Sequence, residues 1–401
     1  MNELIKKYLK GDHIIWMVFA LLCLVSAIEM YSASSSLAYK SYSYTAPMLR
    51  HVMFLGIGAA IVMIIHNVPY KYFRLFPYIM LPIALVLLLY TILWGVSSGD
   101  AKRWIEIMGV QFQPSELAKI SVIIFIADIL ARKQQEEKSA DEAFKPIIIV
   151  LGVFCLLIFP ENFSTAALLF LIGLLMMIIG RISIKTIMKL LVPLMIVGGI
   201  LFFIGWKVPK NNLPPVLDRL PTQVNRVLSF LNEDEENKYV ITDKNRQVVN
   251  SQIAIANGGF FPKLPGSSIQ RDYLPEAYSD FIFAIIIEEM GILGGIFVIA
   301  LYLILLFRAG MITYKSDMTF PALLVIGLTM MIVIQAFASM AVAVHLGPVT
   351  GQPLPLISRG GTSILVTCIY FGMILSVTRY IQEEKKENET VTEETTENKE
   401  N

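Results

Sequence analysis

The stretch "RDYLPEAYSDFIFAIIIEEMG", Arg271 to Gly291, decides how this chain is to be read. It opens polar, carries the lone acid Asp280, turns apolar at Phe281, and then sets Glu288 and Glu289 inside the apolar run. A charge at mid-bilayer costs several kcal/mol, so acids placed there need a partner or a cavity. The first matter is therefore the medium. Of 401 residues, 55% are hydrophobic and only 16% are charged, and mean hydropathy is +0.63. A soluble protein of this length could not hide so much apolar surface, and the composition implies a polytopic membrane protein.

A bilayer core of roughly 30 Å takes about 20 apolar residues as helix. Ten such runs can be counted, at 14–32, 49–66, 74–95, 115–131, 146–159, 162–180, 186–206, 281–307, 320–344 and 361–381. The expected fold is all-α, with about ten transmembrane helices and one large extracytoplasmic loop. The pair flanking Pro160 is short enough to tilt or re-enter. The first run follows lysines, but its length and the spans after it mark it as retained rather than as a signal peptide. Cys23, Cys155 and Cys368 lie in apolar runs without paired spacing and read as buried thiols.

Net charge is +1, so the distribution of charge is more telling than its sum. With the N-terminus in the cytoplasm, the clusters Lys6–Lys7–Lys10, Arg132–Lys133, Arg181–Lys185–Lys189 and Lys385–Lys386 all fall inside. The short outer loops hold only Lys40, Arg50, Lys102, Arg103 and Arg359. This satisfies the positive-inside rule and puts both termini in the cytoplasm. Residues 1–382 read as one membrane domain. Within it, 207–279 is a long outer loop between spans seven and eight. That loop holds a proline-rich strip, an amphipathic segment "TQVNRVLSFL", an acidic turn "NEDEENKY", and a helix-like "QIAIANGGFF" that stops at Gly258-Gly259. Residues 383–401, rich in Glu and Thr, read as a disordered cytoplasmic tail.

Several chemistries are set aside. There is no G-x-x-x-x-G-K-[ST] loop and no H-E-x-x-H, and the four histidines are scattered. ATP hydrolysis and zinc chemistry do not fit, and no nucleic-acid partner is expected. His345 alone sits in a suggestive loop and reads as an interfacial, hydrogen-bonded side chain.

Counted at 1.5 Å per residue, Glu288 and Glu289 lie roughly 12–14 Å beyond Asp280, in the hydrocarbon zone. On the fourth span, "QPSELAK" puts Pro114 at a helix start, Glu116 in its first turn and Lys119 one turn on. Lys119 paired with Glu116, Glu288 or Glu289 would make these charges interhelical braces. The competing reading lines a substrate passage with them. Asp280, at the outer water boundary, is either a helix N-cap or an ionised acid able to meet a lipid-borne substrate. Around it the outer loops gather Arg103 with Trp104, Arg219, Arg226, Lys263, Arg271 and Arg359. Such cations suit an anionic headgroup such as a diphosphate. Finally, "HLGPVTGQPLPLISRGGTS", 345–363, is long for a turn, and irregular backbone at membrane level must be buried or line an aqueous cavity.

With these residues in view, the chain resembles the SEDS family, the FtsW/RodA proteins of bacterial cell-wall synthesis. The likeness rests on "RWIEIMGVQFQPSELAK" (103–119), "AIANGGFF" ahead of "YLPEAYSDFIFAIIIEEMG" (273–291), and "GPVTGQPLPLISRGGTS" (347–363). "YSASSSLAYK" and the "SRGGTS" variant are nearer the division branch, in a Bacteroidetes-type sequence. The resemblance implies a ten-span fold in the cytoplasmic membrane and a peptidoglycan glycosyltransferase polymerising lipid II. The partners it implies are a class B penicillin-binding protein, division-site regulators and membrane lipids. It makes Asp280 the essential acid. Arg103, Lys119, Arg219, Arg226 and Arg359 become substrate-binding candidates, supported by Trp104, Glu116, Glu276, Glu288, Glu289 and Ser358. A divalent cation, Mg or Mn, would be its one cofactor, and the sequence offers no metal cage.

This chain departs from the family pattern in "PENFST", where Glu161 and Ser164 stand for the usual acid and glycine. It departs again at Arg359, which replaces a tyrosine, and at Gln335, the only amide near the ninth span's end. A lipid II flippase and a non-catalytic scaffold for a transpeptidase are the competing functions. Polymer formed from lipid II by purified protein separates the enzyme from both.

Overall fold

The computed structural model describes residues 9–41, 46–98, 101–107, 110–135, 140–208, 213, 220–231, 245–274, 277–316 and 318–400. Arg219, Glu276 and the acidic turn 232–239 lie outside the described residues. Each of the ten apolar runs coincides with a helix: α1 (His13–Ser41), α2 (Ala46–Ile65), α3 (Phe76–Trp94), α4 (Pro114–Gln135), α5 (Phe144–Ile158), α6 (Phe163–Ile179), α7 (Ile184–Lys207), α10 (Ile282–Tyr314), α11 (Thr319–Ala343) and α12 (Gly361–Glu400). Among the described residues, seven helices are long and apolar enough to cross a membrane. The protein is a helical, multi-pass membrane protein. Between α7 and α10 lie α8 (Leu220–Leu231) and α9 (Arg246–Gly258), the two loop segments whose periodicity reads as helical. The backbone of α12 stays helical to Glu400, where composition reads disorder. A helix already nucleated in the membrane propagates without a new nucleation cost.

Local chemistry sets the short elements. Pro114 opens α4, where a missing N–H costs nothing. Asn162 caps α6 by accepting from Thr165 N at 3.2 Å, which ends the tight link after α5. Between α3 and α4 a small antiparallel sheet forms, in the order β1 (Val96–Ser98), β2 (Ala101–Ile107) and β3 (Val110–Phe112). The pairing of β1 with β2 runs Ser97 to Lys102 and then Val96 to Trp104, so Arg103 is the extra residue of a bulge, a device that re-aims a side chain out of the ladder.

Burial ranks the helices. In α11, 78% of the apolar window is buried, against 6% in α7. So α11 runs through the middle of the bundle and α7 along its rim. The first eight residues of α10, Ile282 to Glu289, are all buried.

Hydrogen bonds to α1 measure depth and overturn one expectation. At the face carrying the termini, Asp12 Oδ2 accepts from Arg308 Nε at 2.7 Å. The 20 residues His13–Ser32 then rise about 30 Å, and at their far end Ser32 Oγ donates to Glu289. Glu289 is therefore at the loop-side edge of the bundle, not in its apolar middle. Ser26 Oγ donates to the Ile357 carbonyl at 3.2 Å. Next to it, Ser358 Oγ donates to the Ser279 carbonyl at 2.5 Å. Through these two bonds the Asp280 turn is tied to α1 near Ser26, six residues short of the Ser32 that holds Glu289.

The order of depth is the reverse of the one counted along the sequence. The cause is Gly291, which breaks α10 with φ 68° and ψ −179°. Residues 282–290 rise toward the loop face, and 292–314 descend across the membrane. A Cβ at Gly291 would meet the Phe260 carbonyl at 2.7 Å. Both the left-handed φ and the close backbone require glycine there.

Candidate active site

Glu288 and Glu289 are consumed by the loop that follows α9. Glu288 accepts from Ser268 Oγ, from Ile269 N at 3.2 Å and from Gln270 N at 3.3 Å. Glu289 accepts from Gly266 N at 3.0 Å, Ser268 N at 3.2 Å and Ser32 Oγ, with Arg271 Nη1 at 3.8 Å. Both are buried. Two carboxylates so arranged gather the backbone donors of an otherwise exposed loop around its one buried residue, Ser268. They are a clasp.

Lys119 pairs with neither. It is wholly buried, its Nζ 2.7 Å from Glu116 Oε1 and 3.1 Å from Gln335 Oε1 on α11. Of the three partners open to it in the sequence, the structure uses Glu116. The ammonium faces this pair rather than open space.

Asp280 is half-buried, and its Oδ1 accepts from Ser279 Oγ at 3.0 Å. Its neighbours are built by the segment 345–360, which dips from the end of α11 into the bundle before α12 begins. Ser358 Oγ accepts from Leu354 N at 2.7 Å while donating to Ser279, and Arg359 N donates to the Tyr278 carbonyl at 2.7 Å. The dipping segment and the Asp280 turn are thereby clamped together. At the segment's tip Gly351 has φ 66°. A Cβ placed on it would lie 3.6 Å from Asp280 Oδ2 and 3.7 Å from Arg103 Nη1.

The acid and the guanidinium therefore flank one glycine. Arg103 comes from β2, and its Nε donates to the Glu161 carbonyl at 2.9 Å, which fixes the guanidinium against the α5–α6 link. Behind it a small open recess is lined by Arg103, Gln113, Ser115, Glu161 and Asn162 among others. Arg226, exposed on α8, donates through Nη1 to the Val349 carbonyl at 3.4 Å. His345 meets Phe230 of α8 edge-on at 5.3 Å.

The structure thus gathers Asp280, Arg103, Arg226 and Ser358 around residues 349–358. Arg359 is exposed beyond this group, and Trp104 is half-buried beside Arg103 on β2. Glu116, Lys119, Glu288 and Glu289 do not line it. Sequence reasoning missed Gly351, although "VTGQP" carries a glycine in a turn-rich run. Among the described residues, no three His, Cys, Asp or Glu are placed to hold a metal ion. The donor set beside Asp280 pairs a carboxylate with a guanidinium, which does not fit a divalent cation.

A carboxylate beside a fixed guanidinium, with a second arginine on the rim, can remove a proton while cations stabilise a departing anion. Comparison with known proteins bears on which reaction that is. The family described as cell cycle protein, FtsW/RodA/SpoVE, matches residues 12–383. The chain belongs to that family. It is 31% identical to the "Probable peptidoglycan glycosyltransferase FtsW" of Bacillus subtilis, over 96% of each chain. It is 29% identical to "Stage V sporulation protein E" of the same organism, over 92% of this chain and 97% of the relative. Among solved structures, a chain from a peptidoglycan synthase complex that coordinates polymerization and crosslinking has a TM-score of 0.70 at 20% identity. That match covers 92% of this chain and 98% of the other. RodA of Thermus thermophilus has a TM-score of 0.63 at 20% identity, over 93% and 98%. At such identity these two likenesses speak for the fold.

Proposed function

We propose that this member of the FtsW/RodA/SpoVE family is a peptidoglycan glycosyltransferase that polymerises lipid II at the outer face of the bacterial cytoplasmic membrane during division. The observation that carries the reading is the meeting at Gly351, whose Cβ position lies 3.6 Å from Asp280 Oδ2 and 3.7 Å from Arg103 Nη1. Asp280 accepts the proton of the acceptor's GlcNAc 4-hydroxyl as its oxygen bonds to the donor's anomeric carbon. The bond from that carbon to the diphosphate breaks, and undecaprenyl diphosphate leaves with the electron pair. A positioned general base of this kind contributes about 10²–10⁴ in rate. Arg103 and the rim's Arg226 stabilise the charge that develops on the diphosphate. A single displacement inverts the anomeric centre.

The sidedness follows from the distribution of lysine and arginine, which puts both termini in the cytoplasm and the Asp280 cleft outside. A class B penicillin-binding protein would supply crosslinking. The likeness to a chain from a synthase complex supports such a partner. The transport reading needed Lys119, Glu288 and Glu289 to line a passage, and all three are engaged elsewhere.

The test supplies lipid II to the purified full chain in detergent, with and without the transpeptidase. Glycan polymer is the expected product. A flippase or scaffold would form none, since detergent leaves no two sides to transport between.

A further inference from the structure

Gln335 stands on α11, 4% exposed, between two groups that want opposite things from it. Lys119 Nζ donates to its Oε1 at 3.1 Å, and its Nε2 donates to the Pro353 carbonyl at 3.0 Å. An ammonium can only donate and a carbonyl can only accept, so the amide has one orientation. Only a side chain that accepts at one atom and donates at another can bridge them. Lys119 itself is held from the far side by Glu116 Oε1 at 2.7 Å, so the bridge starts from a fixed point.

The other end of the bridge reaches the cleft. Pro353 lies two positions beyond Gly351, whose Cβ site is flanked by Asp280 Oδ2 and Arg103 Nη1. On its two sides the segment is pinned elsewhere: Gln352 Nε2 donates to Thr165 Oγ1 at 2.7 Å, and Leu354 N donates to Ser358 Oγ at 2.7 Å. The carbonyl between them is held from α11 by Gln335.

We infer that Gln335 is a positioning residue for the transfer reaction. It carries the orientation of the buried Glu116–Lys119 pair through its amide to Pro353, and so sets where Gly351 stands beside Asp280 and Arg103. It touches no substrate, and the inference rests on the glycosyltransferase reading above. A misplacement of about 1 Å at a reacting centre can cost about 10²-fold in rate, so a relay of two hydrogen bonds has enough leverage.

Two variants of nearly equal shape test this in the full chain. Gln335→Met neither accepts nor donates. Gln335→Glu still accepts from Lys119 but has no hydrogen for Pro353. A side chain that only packs α11 or satisfies Lys119 would tolerate Gln335→Glu. A positioning residue would not. With purified protein and lipid II, both variants should lose about tenfold or more in kcat while KM stays within about twofold. In hydrogen–deuterium exchange, amides of 350–358 should exchange about tenfold faster while α4 and α11 keep their protection. Wild-type kcat in Gln335→Glu, or unchanged protection of 350–358 in both variants, overturns the relay. If the wild-type chain makes no polymer, the catalytic reading fails on its own, and exchange in Gln335→Glu still decides whether the amide holds the segment.

Discussion

Asp280 and the pair Glu288–Glu289 belong to one short stretch of chain, yet the fold treats them in opposite ways. The glutamates are buried and surrounded by donors: backbone N–H groups of 266, 268, 269 and 270, two serine hydroxyls and Arg271. Asp280 is half-buried, accepts from a neighbouring hydroxyl, and faces a glycine with a guanidinium beyond it. A carboxylate whose lone pairs are taken by fixed donors is a structural bolt. One that stands beside a cleft and a cation can take part in chemistry. Residue type does not separate the two cases; position does.

The contrast can be broken from the structural side first. Glu289→Leu removes the acceptor for two backbone N–H groups and the counter-charge of Arg271. Leaving the buried Ser268 N–H unpaired and Arg271 without its counter-charge costs about 1–3 kcal/mol. Thermal unfolding in detergent should show that loss, with activity falling only as folded protein is lost. Unchanged stability would mean that the clasp does not hold the loop.

Gly351→Ala probes the other region. Its left-handed φ costs an L-residue about 1–2 kcal/mol, and the new methyl comes within 3.6 Å of Asp280 Oδ2 and 3.7 Å of Arg103 Nη1. Polymerisation should drop by about tenfold or more, beyond what the modest destabilisation explains. Equal and small losses in both would separate Gly351 from the chemistry.

A smaller effect sharpens the rule that surroundings decide what a carboxylate does. Asp141, at the face carrying the termini, accepts from Ser183 N at 2.8 Å and Ser183 Oγ at 3.0 Å in an exposed setting. The backbone bond first, then the hydroxyl bond, holds its pKa below the usual carboxylate range. The folded value lies below the unfolded one, so the added stability is present above the ordinary range near pH 4 and is lost as pH falls through the lowered value. The difference in melting temperature between wild type and Asp141→Asn should shrink as pH is taken from 6 to about 3.

The sequence made much of this legible, and the exceptions have physical causes. Ten apolar runs and the two loop helices could be read from periodicity, because burial and hydrogen bonding in a bilayer leave few options. The depth of the acids could not. Counting residues from Asp280 assumes a helix that descends, and Gly291 alone turns 282–290 upward before the descent begins. "EEMGILGG" contains that glycine, but nothing local says that its φ is positive. The outer-loop cations already suggested Arg103 beside Asp280, but the place of Gly351 next to both was hidden, since it comes from a distant segment clamped to the Asp280 turn by Ser358 and Arg359. Lys119 was the converse case. Its partner Glu116 was one of three allowed by helical spacing and depth, and the wrong depth assigned to Glu288 and Glu289 kept all three in play.

The central claim is that only one of these acids does chemistry. The measurement that reaches it most directly is lipid II polymerisation by Asp280→Asn beside wild type, with the melting temperature of both recorded. The account predicts that the rate falls by about 10²–10⁴ while the melting temperature stays put. Polymerisation within a few-fold of wild type in a fully folded Asp280→Asn protein would contradict it.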